Sequence, residues 1–307
     1  MALNKFNEGF ILVTQSNLSK EVGWLVRQKA PVIAVGEGVG DIGEGFPANA
    51  DVFVRSEQEA EPVIRNIIRS PIAALVLTQV LRIADKVDIQ SGLTVESLAY
   101  SALQSGAEYR RWLDAREEAP QLVTGVGRAI VVERSGDVIR AVLNRPANRN
   151  SLTVEMRDAL VELLQLLEVD QSIRRLELSG NGDCFSVGGE LREFGLSKDP
   201  AEAHCVRSEH NPSRLLAELG ERVHCHLHSA CIGSGIELPA FAKRVTAQRR
   251  TYFQLPELKL GLIPGAGGCL SIARRIGRHR TAWMALSGKR VNTETALAWG
   301  LIDEIAN

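Results

Sequence analysis

Two glutamates carry the side chains in this sequence that are best suited to acid–base chemistry: Glu237 in GSGIEL (233–238) and Glu257 in QLPELKLG (254–261). They are 20 residues apart, which leaves room for a helix and a return strand, so both can face one cavity. Paired carboxylates can activate a water molecule and deliver a proton when burial and mutual repulsion hold them in different protonation states. The alternative for each is structural, since acids in the first turn of a helix interact favourably with its dipole.

Three glycine-bearing loops accompany these acids: FSVGGEL (185–191), GSGIEL and LIPGAGG (262–268). Each is predicted to join a strand to a helix, where exposed backbone N–H groups can bind an oxyanion or a phosphate. Tight turns explain the glycines of any single loop equally well. None of the loops has the spacing of a nucleotide phosphate loop or a dinucleotide fingerprint, so nucleotide hydrolysis and hydride transfer have little support.

Histidines and serines offer weaker candidates for metal binding and nucleophilic catalysis. His224, His226 and His228 alternate along HCHLH and would share one face of a strand, where an i, i+2 pair can ligate zinc. The segment is apolar and has no acidic neighbour, which favours packed histidines, so no metal site is predicted. Ser186 and Ser234 both lie outside the G-x-S-x-G pattern of serine hydrolases.

The elements that must position these residues form two groups along the chain. In residues 1–120, the patterns predict two strands, a helix between them, a helical run from Glu57 broken at Ser70-Pro71, and a second break at Gly92. The strands are GFILVT and PVIAVG, the helix is SKEVGWLVRQK, and the last helical stretch runs from Thr94 to Glu117. Residues 120–127 are predicted to be a linker.

The second group, residues 128–307, is predicted to alternate strands and helices. AIVVERSG and DVIRAVLN indicate a hairpin around Gly136-Asp137, and the next helix carries an apolar stripe from Met156 to Leu167 behind a cap at Ser151 or Thr153. RRLELSG and RVHCHLHSACIG follow as strands. This order predicts an α/β fold of right-handed βαβ units, with functional loops after the strand ends.

Composition limits the function classes. The chain has 307 residues, enough for a substantial core and a pocket, and 36 basic against 37 acidic residues, a net charge of −1. This balance gives no basic field for nucleic acid. The apolar runs are too short to span a membrane, and the five scattered cysteines favour a reducing compartment, so a cytoplasmic protein is expected.

Taken together, the motifs resemble one known family. NRPANRNSLTVEM, FSVGGEL, ACIGSGIELPAF, YFQLPELKLGLIPGAGG and the segment ending in GLIDEI occur in an order and at gaps similar to those of the crotonase superfamily, from about Arg128 to Ile305. The resemblance implies an α/β, crotonase-like spiral of ββα units with a helical segment. It also implies an acyl-CoA thioester substrate, with coenzyme A bound as part of the substrate and no separate cofactor, and a homotrimer or hexamer.

The resemblance also implies roles for individual residues. The backbone amides of Gly189 and Ser234 would form an oxyanion hole for an enolate. Glu257 would act on water and the β-carbon, and Glu237 would hold that water and share the proton, which favours hydration of a 2-enoyl-CoA to 3-hydroxyacyl-CoA. The residues that correspond to contacts with the CoA moiety are Arg149, Val187 and Leu191.

Some positions depart from the family pattern and keep alternatives open. Glu190 replaces the usual aspartate of the GGD-type loop, and Phe241-Ala242-Lys243 stands where relatives carry a small residue and an aspartate. The alternatives are an isomerase or a C–C bond hydrolase or lyase using the same enolate, or a CoA-binding, subunit-organising protein without activity.

The N-terminal part resembles other pieces of the same family. EAEPVIRNIIRSPIAALVLTQVLR (59–82) and GLTVESLAYSALQSGAEYRRWLDAREEAP (92–120) are similar to the family's C-terminal helices, and residues 30–56 to an eroded strand and pivot without the acid. We therefore expect a tandem fusion or circular permutation in which these helices precede the catalytic core of residues 128–307. The hypothesis requires them to lie near Glu237.

Overall fold

The computed structural model describes residues 9–21, 23–36, 47–116, 123 and 125–306. Half of the predicted linker over 120–127, and residues 37–46 of the pivot-like segment within 30–56, lie outside these ranges.

The first strands of the described part form a small parallel sheet. They are β1 (Ile11–Thr14), β2 (Val32–Val35) and β3 (Val52–Val54), in the order β1-β2-β3. The two predicted strands are confirmed, but the helix predicted between them is wrong. A single 3₁₀ turn, Leu25–Arg27, forms there, because Gly23 has a φ of +77°, which a right-handed helix cannot contain.

Four helices follow the small sheet. They are α1 (Glu57–Arg69), α2 (Pro71–Ala84), α3 (Ile89–Gln104) and α4 (Ala107–Asp114). Ser56 caps α1 by accepting a hydrogen bond from the Glu59 amide at 3.3 Å. Among the described helices none is by itself long and apolar enough to cross a membrane, whereas α1 and α2, joined at a bend of 112°, meet the length and composition criteria as a pair.

The predicted break at Gly92 does not occur, and α3 runs through this glycine. A Cβ atom at Gly92 would lie 2.4 Å from Leu270 Cδ1, so the glycine allows close packing against a later segment. The helical run is interrupted instead at residues 85–88, between α2 and α3, and again at Ser105-Gly106, between α3 and α4.

The second part carries the larger sheet. Its first elements are β4 (Ile130–Ser135), β5 (Val138–Leu143), α5 (Val154–Val169), β6 (Arg175–Gly180), α6 (Pro200–Glu209), α7 (Pro212–Leu219), β7 (Val223–Leu227), β8 (Ala230–Ile232) and α8 (Ser234–Glu237). The last are β9 (Arg244–Gln248), β10 (Tyr252–Gln254), α9 (Gly268–Ile276), α10 (Arg278–Ser287), β11 (Val291–Asn292), α11 (Thr293–Trp299) and β12 (Glu304–Ala306). The predicted hairpin and the Thr153 cap of α5 are confirmed: β4 pairs antiparallel with β5, and Thr153 Oγ1 accepts from the Met156 amide at 3.1 Å.

The second part of the chain contains two sheets. The large sheet has the order β12-β9-β7-β6-β5-β4 and is parallel except for β4, and a small sheet has the order β11-β10-β8. Strand β8 ends at Ile232 and passes through Gly233 directly into α8, the short helix that contains Glu237. The α/β class expected from the sequence is confirmed.

The helices of the first part pack on the second part. Buried residues of α2 and α3, such as Leu77 and Tyr100, belong to the same apolar cluster as Leu270 of α9. Asn66 of α1 donates to the carbonyl oxygen of Leu286 in α10 at 2.9 Å. The helices from 57 to 114 therefore lie around the elements that carry the predicted site, as the rearrangement hypothesis requires; the origin of this arrangement stays a prediction.

A buried ion pair joins the β1-β2-β3 sheet to the helices that follow it. Asp51 accepts from Arg82 Nε of α2 at 2.8 Å and from the Val32 amide at 2.8 Å, and Arg278 of α10 donates to the Ala50 carbonyl at 2.9 Å. Asp51 and Arg82 have exposed fractions of 2% and 6%.

Replacing Asp51 with Ala should lower the free energy of unfolding by about 3–5 kcal/mol, because the Arg82 guanidinium would stay buried without its carboxylate. Urea denaturation measures the effect. The matched control is Arg27→Ala, which removes an exposed pair with Glu21 and should cost less than about 1 kcal/mol. Equal losses in the two variants would contradict this role for the buried pair.

Candidate active site

Close backbone contact joins the first two glycine loops. A Cβ atom at Gly188, where φ is +88°, would lie 2.5 Å from the Ile232 carbonyl oxygen. A Cβ atom at Gly235 would lie 2.5 Å from the Ser186 carbonyl oxygen. Only glycine permits both approaches, so the sequence brings the loops together at backbone level.

This contact brings together the two amides predicted to form an oxyanion hole. Gly189 follows Gly188, and Ser234 is the first residue of α8, after Gly233 with a φ of +52°. Within the part of the chain that the structure describes, neither the Gly189 nor the Ser234 amide donates a hydrogen bond. Two unbonded N–H donors on neighbouring loops can receive one acyl oxygen.

The two predicted catalytic glutamates face the same point beside these amides. Glu237 is buried, and its Oε2 accepts from the Ala266 amide at 2.8 Å and the Gly268 amide at 3.0 Å. Glu257 Oε2 is buried and has no hydrogen-bond partner among the described residues. A Cβ atom at Gly233 would lie 2.6 Å from Glu257 Oε1 and 3.8 Å from Glu237 Oε1, so both carboxylates border this glycine.

Burial dominates the protonation of the pair. It raises the pKa of Glu237 to about 7, against the opposing effect of the amides that donate to it. Burial, and after it the charge of Glu237, raises the pKa of Glu257 well above its ordinary value of 4.5. Two such groups in contact titrate as a unit, so around neutral pH one can hold a proton while the other is ionised.

A third buried carboxylate, Glu96 on α3, joins this site, and the sequence did not assign it a function. Its Oε1 accepts from the Gly267 amide at 2.7 Å and its Oε2 from the Cys269 amide at 2.8 Å. Burial, and then the charge of Glu237, raises the pKa of Glu96 to about 8. The signal in the sequence was its place after Gly92-Leu93 in the segment that resembles the family's C-terminal helices, which did not connect it to the pair.

Of the residues predicted to contact CoA, Val187 and Leu191 lie on the loop that carries Gly189, and Arg149 adjoins it. Arg149 is exposed and in the left-handed conformation with a φ of 52°, and its carbonyl oxygen accepts from the Val187 amide at 3.2 Å. Leu191 is 44% exposed. The structure brings them to one rim, and their contact with CoA stays a prediction.

Glu190, one of the departures from the family pattern, stabilises this loop. Ser151 Oγ donates to Glu190 Oε2 at 2.7 Å, and Arg192 Nε donates to Oε1 at 2.6 Å. Although burial opposes ionisation, the hydrogen bonds from Arg192 and Ser151 lower the pKa of Glu190 to about 2. Glu190, whose side chain is longer than that of the family's usual aspartate, is therefore ionised and accepts hydrogen bonds at both carboxylate oxygens.

Helix α4 covers the same loop. The ring of Trp112 packs edge-on against Phe194 with centroids 6.0 Å apart, and Arg116 Nη1, just after the helix, donates to the Leu191 carbonyl at 2.6 Å. A Cβ atom at Gly189 would lie 3.1 Å from the Phe194 ring. The N-terminal part thus contributes an aromatic wall beside a predicted oxyanion donor.

Two of the three histidines form hydrogen bonds within the fold. His226 Nδ1 pairs with Thr246 Oγ1 at 2.9 Å, and His228 Nε2 with the Gly182 carbonyl at 3.0 Å. The described residues contain no group of three or more His, Cys, Asp or Glu side chains arranged to hold a metal ion.

The raised pKa of Glu237 predicts a pH dependence of stability. Because its native pKa of about 7 exceeds the ordinary 4.5, the native state binds more protons than the unfolded chain between these values. This contribution is fully present below about pH 4.5 and is lost as the pH rises through about 7. Relative to Glu237→Gln, the free energy of unfolding of the wild type should fall by up to ~1.4 kcal/mol per pH unit, measured by urea denaturation.

Glu190→Gln is the control for this measurement. The pKa of Glu190 lies at about 2, so its carboxylate stays ionised in both states above about pH 6. The stability difference between this variant and the wild type should be constant from about pH 6 to 8. A constant difference for Glu237→Gln over the same range would contradict a raised pKa.

Comparison with known proteins identifies the family. Residues 133–307, more than half of the chain, match the family described as enoyl-CoA hydratase/isomerase. The chain is 34% identical over 174 residues to 1,2-epoxyphenylacetyl-CoA isomerase of Escherichia coli, covering 55% of this chain and 66% of that protein. It is 31% identical over 176 residues to 2,3-dehydroadipyl-CoA hydratase of the same organism, covering 57% and 68%. The chain thus spans about two thirds of the length of these relatives.

A solved structure agrees with the sequence match. An enoyl-CoA hydratase from Thermoplasma volcanium superposes with a TM-score of 0.53 and 30% identity, covering 59% of this chain and 72% of that one. The likeness confirms the spiral α/β fold expected from the motifs. With its paired loops and the sequence match over 133–307, this chain belongs to the enoyl-CoA hydratase/isomerase family.

Proposed function

We propose that this protein hydrates a 2-enoyl-CoA thioester to the 3-hydroxyacyl-CoA. The observation that carries the proposal is the meeting of two buried carboxylates, Glu237 and Glu257, at Gly233, beside the unbonded amides of Gly189 and Ser234. Such a site offers both a stabiliser for a developing oxyanion and two groups to move protons.

The amides would act on the thioester oxygen. In the ground state this oxygen would accept from the Gly189 and Ser234 N–H groups, and in the transition state the same bonds strengthen as negative charge develops on it. The donors are held by the backbone contacts between the loops, so little reorganisation accompanies the reaction. One preorganised donor of this kind is typically worth ~10²–10³-fold in kcat.

The carboxylates would divide the proton transfers. Glu237, whose Oε2 accepts two amide hydrogen bonds, is the better anion and takes a proton from water as the water oxygen bonds to C3. The C2=C3 π electrons then move toward the thioester, giving an enolate at the amides. Glu257, without a hydrogen bond to its Oε2, keeps its proton until the enolate collapses and C2 accepts it. Return of the proton from Glu237 to Glu257 restores the starting state.

This division differs from the expectation drawn from the resemblance, which gave Glu257 the main action on water. The hydrogen bonds supplied by the Ala266 and Gly268 amides favour the reverse order, because bonding to the charged form lowers the cost of ionising Glu237. Contact of Arg149, Val187 and Leu191 with the CoA moiety belongs to the same proposal. Assembly into trimers or hexamers, a cytoplasmic location and the lack of a separate cofactor stay predictions.

Crotonyl-CoA tests the proposal. Hydration removes the conjugated double bond, so the near-ultraviolet absorbance of the enoyl thioester should fall, and proton NMR should show 3-hydroxybutyryl-CoA. Glu257→Gln and Glu237→Gln should each lose ~10²-fold or more in kcat, because a positioned acid or base is removed.

Glu177→Gln is the control, since Glu177 lies on β6 in ion pairs with Arg140 and Arg175 and should leave kcat close to the wild-type value. Undiminished hydration by Glu257→Gln would reject the acid–base assignment. A shifted double bond in the product, with no hydroxyl group, would instead support the isomerase reaction.

A further inference from the structure

Glu96 lies outside the segment that matches the family, yet it contacts the centre of the site. It is on α3, whereas the family match covers residues 133–307. Its exposed fraction is 2%, and 171 residues separate it from Gly267, whose amide it binds. A charged side chain is rarely buried this completely unless it is paired or has a function.

Glu96 and Glu237 bind alternating amides of one peptide segment. Ala266 and Gly268 donate to Glu237, and Gly267 and Cys269 donate to Glu96. Four consecutive N–H groups at the start of α9 are thus shared by two carboxylates from different parts of the chain. Any movement of this segment changes the hydrogen bonds of both acids.

The surroundings of Glu96 and Glu237 allow their negative charges to interact. No Lys, Arg or His side chain hydrogen-bonds to Glu96, Glu237 or Glu257 within the described ranges. Arg207 of α6 is a nearby cation; it donates to the Ser101 hydroxyl, and its guanidinium lies 4.7 Å from the centroid of the Tyr100 ring. Elements packed against α3 also carry Cys269, His204 and Arg214, together with Glu218, which accepts from Gln90 of α3, and Glu108 and Tyr109 of α4.

We propose that Glu96 is a positioning residue of this site, which holds Glu237 in place through residues 266–269 and whose charge determines how protons are distributed between Glu237 and Glu257. The role in turnover rests on the proposed hydration. The electrostatics agree, because the charge of Glu96 raises the pKa of Glu257 and that of Glu237 raises the pKa of Glu96. Three coupled acids release their protons over a wider pH range than two.

Carbon-13 NMR of protein labelled at the glutamate carboxyl carbon tests this without any substrate. In the wild type, the carboxyl signals of Glu96, Glu237 and Glu257, assigned by single Gln substitutions, should titrate at a higher pH than those of exposed glutamates. In Glu96→Gln the remaining two should titrate about one pH unit lower, because one negative charge is gone. If hydration occurs, the alkaline limb of its kcat/KM profile should move down by a similar amount.

Glu108→Gln is the matched control. Glu108 is also buried and also accepts from two consecutive amides at a helix start, Ile72 at 2.8 Å and Ala73 at 3.0 Å, and its charge is not among those acting on Glu237 or Glu257. This variant loses a carboxylate that bonds two backbone amides, so its free energy of unfolding should fall. The titration midpoints of Glu96, Glu237 and Glu257 should stay unchanged. Unchanged midpoints of Glu237 and Glu257 in Glu96→Gln would overturn the proposal.

A second measurement does not require a change at residue 96. Glu237→Gln retains an oxygen that can accept from Ala266 and Gly268, and it should lower the titration midpoint of Glu96, since coupling between two sites is reciprocal. An unmoved Glu96 signal would also overturn the proposal. These titrations test the proposed role of Glu96 even if crotonyl-CoA is not hydrated. A wrong assignment of the reaction can therefore be distinguished from a wrong assignment of Glu96.

Discussion

The site depends on one constraint: the carboxylates of Glu96, Glu237 and Glu257 are buried close to one another, and within the described structure no basic side chain hydrogen-bonds to them. Burial without a bonded cation disfavours ionisation, and the N–H groups of residues 266–269 oppose this effect. The balance brings the pKa values of Glu96 and Glu237 into the neutral range. A surface carboxylate pair would be fully ionised at that pH and could not supply both an acid and a base.

The constraint also explains why both parts of the chain are needed. Helix α3 supplies Glu96, and α4 supplies the aromatic wall against Phe194 beside Gly189. About a third of the length of the matched relative lies outside the aligned region, and here the helices of residues 57–114 surround the elements that carry the site. This is the packing that a displaced family tail would require, and the rearrangement remains our hypothesis for how the sequence order arose.

Local sequence predicted most regular elements, and its errors have definite causes. The hairpin, the strand RRLELSG and α5 follow from alternation, helical periodicity and a threonine cap, all of which act over a few residues, whereas RVHCHLHSACIG, predicted as one strand, is divided at Ser229 (φ 53°) into β7 and β8 of two sheets. The helix predicted over 19–29 fails because Gly23 is in a positive-φ conformation that the apolar pattern does not reveal. The break predicted at Gly92 fails because Leu270, distant along the chain, uses the space that a side chain would fill.

For the site, the sequence by itself determined the glycine loops and the two acids behind them, because the close contacts at Gly188 and Gly235 require glycine and therefore leave a pattern that can be read. Their order and spacing were enough to indicate the family. Only the tertiary structure decided the protonation of these acids and the part taken by Glu96. Burial and charge coupling arise from residues that are distant in sequence, and the hydrogen bond from Gly267 to Glu96 joins positions 171 residues apart. No local pattern encodes a contact of that kind, since its energy depends on how α3 packs against α9.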